Sequence, residues 1–154
     1  MRQFVLAAFG VFGLVSVAVA QAPARTPAEL IQHRQAGYKQ INAAFRAVLE
    51  QVRADEPSLP VIRQNAATIA RLAPQVGGWF PRGTGLETGV RTRAKVEIWA
   101  DPQAFRTASV NLVVAARQLA SAARAGDITA IRAAHQALGR TCSGCHDQFR
   151  APAS

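Results

Sequence analysis

Methionine is almost missing from this sequence: its 154 residues contain one, Met1. Cysteine is nearly as rare, with two, Cys142 and Cys145. Acidic residues number nine against eighteen lysines and arginines, for a formal net charge of +9. The basic excess is mostly arginine and is scattered rather than gathered in a run. Scattered charge, few aromatics and the N-terminal export signal described below oppose nucleic-acid binding, although a basic surface favours acidic partners. No two segments carry the alternation and turn residues of a hairpin, and no internal repeat is evident. One apolar run approaches the length of a membrane span, and it lies at the start.

That run reads as a leader. Met1-Arg2-Gln3 is a short basic start, Phe4 to Val19 is almost wholly apolar, and Ala18-Val19-Ala20 has the small-x-small pattern of a signal peptidase site. Cleavage after Ala20 is expected rather than retention as an anchor, because the run is near the short limit for a span and a cleavage site follows it. Residues 1–20 are then a signal peptide and residues 21–154 one domain, long enough to bury a core. Met1 and the charge of Arg2 leave with the leader, and nothing else in the chain is apolar enough to hold it in a membrane.

The remainder is rich in alanine, leucine, arginine and glutamine, which favour helix. A first helix is expected from about Pro27 to Arg53, opened by Thr26-Pro27-Ala28-Glu29: a capping threonine, proline at the first position and glutamate three residues after the cap. Tyr38, Ile41, Phe45, Val48 and Val52 make one apolar stripe along it. Gly37 interrupts it at a cost of about 1 kcal/mol. A second helix runs from a cap at Ser58 to just before Pro74, with Ile62, Ala66, Ile69 and Leu72 inward. A long connection from Pro74 to about Asp101 holds Trp79-Phe80-Pro81, a Gly/Thr-rich stretch and Trp99. Its length suggests function, and its aromatics predict that it packs over something apolar. A third helix opens with Asp101-Pro102 and ends at Gly126. Its Phe105, Leu112 and Leu119 recur every seven residues with alanines between, a seam suited to close packing as core or subunit interface. Asp127 caps a fourth helix whose face is Ile128, Ile131, Ala134, Leu138, Cys142, Cys145 and Phe149. Four amphipathic helices imply an all-α, antiparallel up-down-up-down four-helix bundle.

Both cysteines fall in Cys142-Ser143-Gly144-Cys145-His146, the C-x-x-C-H signature for attachment of c-type haem. Each thiol adds across one porphyrin vinyl group, and the adjoining imidazole lies under the iron as its ligand. On a helix the three side chains stand at i, i+3 and i+4 and share a face. A disulfide between the pair is the simpler alternative in an oxidising compartment. It leads to a haem-free disulfide or metal bundle, but leaves His146 unexplained.

The rest of the inventory bears on the other side of the iron. His135 is eleven residues before His146, about 16 Å along the axis, too far to share one iron, and reads as a core or rim histidine. His33 is turned about 140° from Tyr38 around the first helix and reads as solvated. Electron-carrying cytochromes c commonly use methionine as a second ligand, and none remains after the leader. Lys39 and Lys95 are unusual candidates. A five-coordinate iron, open to a small gaseous ligand, is the simplest reading.

With those residues in view, the chain resembles cytochrome c prime, the high-spin class II family of cytochromes c, over essentially all of residues 21–154. Arg34-Gln35-Ala36-Gly37-Tyr38 is similar to the family's Arg-Gln segment and distal residue. Phe80-Pro81-Arg82-Gly83-Thr84 and Glu97-Ile98-Trp99 are similar to its F-x-x-G-[ST] and P-E-I-W runs, and Cys142 through Arg150 to its C-terminal block. Val96 replaces a frequent proline, and Ile41 a frequent methionine. The resemblance implies a periplasmic, homodimeric bundle with one haem c tethered by Cys142 and Cys145 and His146 as the only protein ligand to iron. Arg34 and Gln35 would contact the haem edge and its propionates, Tyr38 would occupy the distal site, and Phe80 would wall it. Thr92 and Arg93 would neighbour the haem edge, and Arg150 the proximal side.

Two residue-level readings stand beside it. Arg34 and Tyr38 are one helical turn apart and point a cation and a ring the same way, although a solvated helix arginine is the default for Arg34. Arg150, four residues after His146, would lie one turn further along the same face, or serve the helix dipole. The function expected is a binding protein rather than an enzyme, since no acid–base pair is evident: capture of nitric oxide or carbon monoxide, with nitric oxide buffering or protection implied by the resemblance. The alternative is one-electron transfer with a redox partner protein.

Overall fold

The computed structural model describes residues 25–152, so the expected leader and its cleavage site lie outside the described part. The elements are α1 (Pro27–Arg53), α2 (Leu59–Leu72), α3 (Glu97–Ala100), α4 (Pro102–Ala125) and α5 (Ile128–Phe149), with short 3₁₀ turns at Ala73–Gly78 and Leu86–Thr88. The four long helices pack in a closed ring, α1 on α2, α2 on α4, α4 on α5 and α5 back on α1. The fold is an all-α four-helix bundle.

Local chemistry sets the helix starts. The Thr26 hydroxyl accepts from the Glu29 N–H at 3.3 Å while the Glu29 carboxylate accepts from the Thr26 N–H at 2.7 Å, so two orphan donors are satisfied reciprocally. Asp101 accepts from the Ala104 N–H and Asp127 from the Thr129 N–H, each at 2.9 Å. Gly126 turns the chain between α4 and α5 with φ +83°, a conformation only glycine adopts without strain. Ser58 departs from expectation. It holds the cap position of α2, but its side chain makes no capping bond. Pro60 has no N–H to offer at one of the two positions a capping oxygen serves.

The core draws Ile41, Ala44, Val48 and Val52 from α1, Ile62, Ala66, Ile69 and Leu72 from α2, and Ala115, Ala116, Leu119, Ala120 and Ala123 from α4. The alanines let α4 lie close to both neighbours. Tyr38 and Phe45, on the same α1 stripe, are only partly buried. A second cluster of Ile98, Phe105 and Phe149 gathers at the end of the bundle where α5 finishes.

The long connection is ordered over this same end. Trp79 is 6% exposed and lies against α1 at Gly37. A Cβ there would sit 2.6 Å from Cζ2 of Trp79 and closer still to Cη2. The glycine is therefore a seat for the indole. Gly37→Ala gains about 1 kcal/mol of helix propensity but overpacks the contact, which costs about 1–3 kcal/mol or more. A thermal melt should fall by several degrees; an unchanged or higher midpoint would show that the indole is not wedged there.

Candidate functional site

The last turns of α5 bring Cys142 and Cys145, both free thiols and half-buried, to the wall of a cavity of about 760 Å³, within the range of small-molecule and cofactor sites. His146 stands at its edge. Across from them α1 supplies Arg34, Gln35, Tyr38, Ile41, Asn42 and Phe45, α4 supplies Phe105, Ala108, Ser109 and Leu112, and the connection covers the space with Phe80, Thr92, Arg93, Ala94 and Ile98. The ten residues singled out from sequence, Arg34, Gln35, Tyr38, Phe80, Thr92, Arg93, Cys142, Cys145, His146 and Arg150, all border this one cavity.

Arg34 is not a solvated helix arginine. It is 2% exposed, and its guanidinium donates to the Thr84 hydroxyl at 2.9 Å, the Thr84 carbonyl at 2.7 Å and the Thr92 hydroxyl at 2.9 Å. It also lies over the Phe80 ring, 4.6 Å from the centroid. Burial pulls its pKa down, yet a guanidinium stays charged under any ordinary condition. Gln35 donates to the Arg91 carbonyl at 2.9 Å. Both side chains hold the connection onto α1.

Tyr38 packs edge-on to Trp79 at 5.2 Å and tilted to Phe80 at 6.3 Å. Burial, and then the nearby Cys145 thiol, push its phenol well above the usual range, so it remains a protonated donor. Burial raises both cysteine thiols. His146 moves the other way: burial, then the Arg150 and Arg93 cations, hold its pKa below 6.5. Its imidazole is neutral at neutral pH, the form that binds metals.

Arg150 departs from its expected place. The helix ends at Phe149, and Arg150 is extended, with φ −124° and ψ 123°, because it pairs with Ala94 in an antiparallel bridge. The Lys95 N–H donates to the Phe149 carbonyl at 3.0 Å, the Ala151 N–H to the Arg93 carbonyl at 2.8 Å, and the Arg93 Nε to the Ala151 carbonyl at 2.7 Å. These bonds stitch the connection to the residues just past the motif. Phe105 is core, as expected, and Leu112 packs against the core; both also line the cavity. The repeat of apolar residues along a helix is the same for both uses. Phe149, expected on the same helix face as Cys142 and Cys145, borders the cavity with them.

The other histidines border none of this cavity. His33 is exposed, 6.1 Å from the Trp79 ring centre. His135 is 4% exposed, with Nε2 at 3.0 Å from the Phe45 carbonyl. Burial and the Arg53 cation lower its pKa, so the folded protein binds its proton less readily than the unfolded chain. This contribution to stability is complete above pH 6.5 and is lost as pH falls from there through the lower folded value. Denaturant midpoints should decline across that acid window in the wild type and decline less in His135→Gln. Equal slopes would remove His135 as the cause. Of the two lysines, Lys39 reaches the cavity's edge, exposed, while Lys95 Nζ donates to the Asp147 carbonyl at 3.4 Å.

Two thiols and a neutral imidazole on one wall, rings and aliphatic groups opposite, and arginines at the edge fit a planar apolar macrocycle with acidic substituents. The Cytochrome C' family model matches residues 29–150. The chain belongs to the cytochrome c' family. A cytochrome c' of Rhodospirillum rubrum is 35% identical over 151 residues, covering 97% of this chain and 98% of that one. A solved cytochrome c' described as having an unusual ligand-controlled dimer dissociation aligns with TM-score 0.78 at 27% identity, over 84% of this chain and 100% of its own. A nitric oxide complex of a cytochrome c prime variant from Alcaligenes xylosoxidans aligns with TM-score 0.74 at 26% identity, over 82% of this chain and 97% of its own. Membership of this family implies haem c. No described helix is long and apolar enough to cross a membrane.

Proposed function

We propose that the cavity takes one haem c, covalently attached through Cys142 and Cys145 with His146 as the only protein ligand to iron, and that its Tyr38 side receives a small gaseous ligand, nitric oxide or carbon monoxide. The asymmetry of the cavity carries this reading: sulfur and imidazole stand on α5, while the α1 wall offers a phenol, rings and aliphatic groups. The bound haem supplies an iron with one open coordination position. The remaining work falls to the chain. Arg93 and Arg150 set positive charge at the edge where propionates would lie, Arg34 and Gln35 keep the connection shut, and Tyr38 and Phe80 limit the size of what enters.

In this reading residues 21–154 form a single exported domain, working as a homodimer in the periplasm after loss of residues 1–20. It binds and buffers nitric oxide without turnover. The solved nitric oxide complex of a relative supports the choice of ligand. The arginines at the edge favour a second reading, one-electron exchange with an acidic partner protein. The absorption spectrum of the ferric protein separates the two, with a high-spin spectrum expected and rapid uptake of carbon monoxide after reduction. A low-spin, six-coordinate spectrum would overturn the open site.

A further inference from the structure

Between α1 and α5 lies a second, smaller cleft of about 300 Å³, with Leu49, Val52 and His135 on its walls beside the polar Arg53, Arg132 and Gln136. Two residues, Phe45 and Gly139, border both this cleft and the main cavity, and no other described residue does. The partition between the two spaces is thus one aromatic ring and one residue without a side chain. A Cβ at Gly139 would lie 3.3 Å from Cζ of Phe45, so the ring tip rests close against the α5 backbone. On its flat side the ring stacks on His135, with centroids 3.9 Å apart and planes at 20°. His135 is in turn bonded to the carbonyl of Phe45 itself. Ring and imidazole together close the joint.

We propose that this cleft is the entry port for a small neutral gas molecule and that Phe45 is its gate. The proposal rests on the haem reading above, in which the edge at Arg93 and Arg150 is taken up by the cofactor and the cleft offers a separate approach to the α1 wall beside the exposed Lys39 and Asn42. Rotation of one side chain joins the two spaces, a motion far faster than any movement of packed helices. The ring and the glycine backbone offer nothing to replace the water of an ion, so the joint admits neutral diatomic molecules and excludes charged ones. Gly139 has a role in this arrangement that helix propensity opposes: it leaves the space into which the ring tip fits.

Rates of carbon monoxide binding to the reduced holoprotein, measured by flash photolysis, test the gate. Phe45→Leu should raise association and dissociation together by about ten-fold, the effect of lowering a barrier by about 1.4 kcal/mol, with their ratio unchanged. Gly139→Ala, which presses a methyl group on the ring tip, should slow both. Crystals of the holoprotein pressurised with xenon should place the gas against Phe45 and Leu49. Unchanged rates in both variants overturn the gate, as does a change in affinity with no change in association. A wild type that binds no carbon monoxide removes the open iron and the route together. Normal binding at rates indifferent to Phe45 and Gly139 removes the route alone.

Discussion

Replacing Cys142 and Cys145 together by alanine should convert a haem that survives acid-acetone treatment into one that is wholly extracted by it. Each thiol reaches the same cavity wall from α5, and the described residues hold no other cysteine, so no second tether can form. Each single variant should keep one thioether and remain attached. The double variant has a further consequence. A covalent ligand cannot dissociate, whereas a free one stabilises the fold only in proportion to occupancy, about 4 kcal/mol at a thousand times its Kd. With the cofactor extracted, an apolar space of about 760 Å³ is left to collapse. The unfolding transition should move down sharply and lose cooperativity. Haem that stays covalently bound in the double variant would sink the assignment of the tether.

Arg34→Met should destabilise the protein by about 2–4 kcal/mol, since bonds to a charged donor are worth about 1.5–3 kcal/mol each and the gain from no longer burying a charge offsets part of the loss. Methionine keeps the apolar stem, so the change removes the three bonds to Thr84 and Thr92 together with the cation over the Phe80 ring. Thr84 retains its own bond to the Pro81 carbonyl at 2.7 Å and so keeps its local turn. The part released is the grip of the connection on α1. Arg34→Lys should recover little, because an ammonium is a point charge without the planar fork that meets two threonines at once. Denaturant unfolding gives the energy, and amide hydrogen exchange over residues 84–92 gives its location. Wild-type exchange rates in Arg34→Met would show that the connection is held by other contacts.

What was legible in the sequence follows the range of the interactions. The starts of α1, α4 and α5 rest on bonds spanning two or three residues, and threonine and aspartate announce them. The proposed tether and its imidazole occupy five consecutive residues. The bundle follows from periodicity alone. The task of Arg34 was hidden because its partners are 50 and 58 residues away, in a connection with no periodicity to predict where it returns. Gly37 looked like a tolerated flaw for the same reason, since the indole that occupies its vacant side comes from Trp79. The break after Phe149 was missed because an apolar pattern that continues to the end of a helix does not reveal a bridge to Ala94.

That bridge gives this end of the molecule a mechanical continuity. The Arg150 N–H bonds to the His146 carbonyl at 3.0 Å, Ala151 holds Arg93 by two bonds, and Thr92, next along, is gripped by Arg34 on α1. Traced in order, these links leave the imidazole's own backbone, pass around the cavity and arrive at the opposite wall without entering the core. With His146 as the proposed iron ligand, a pull on it would be taken up as tension in the covering segment and delivered to α1 one turn from Tyr38, like a drawstring whose knot is tied beside the imidazole.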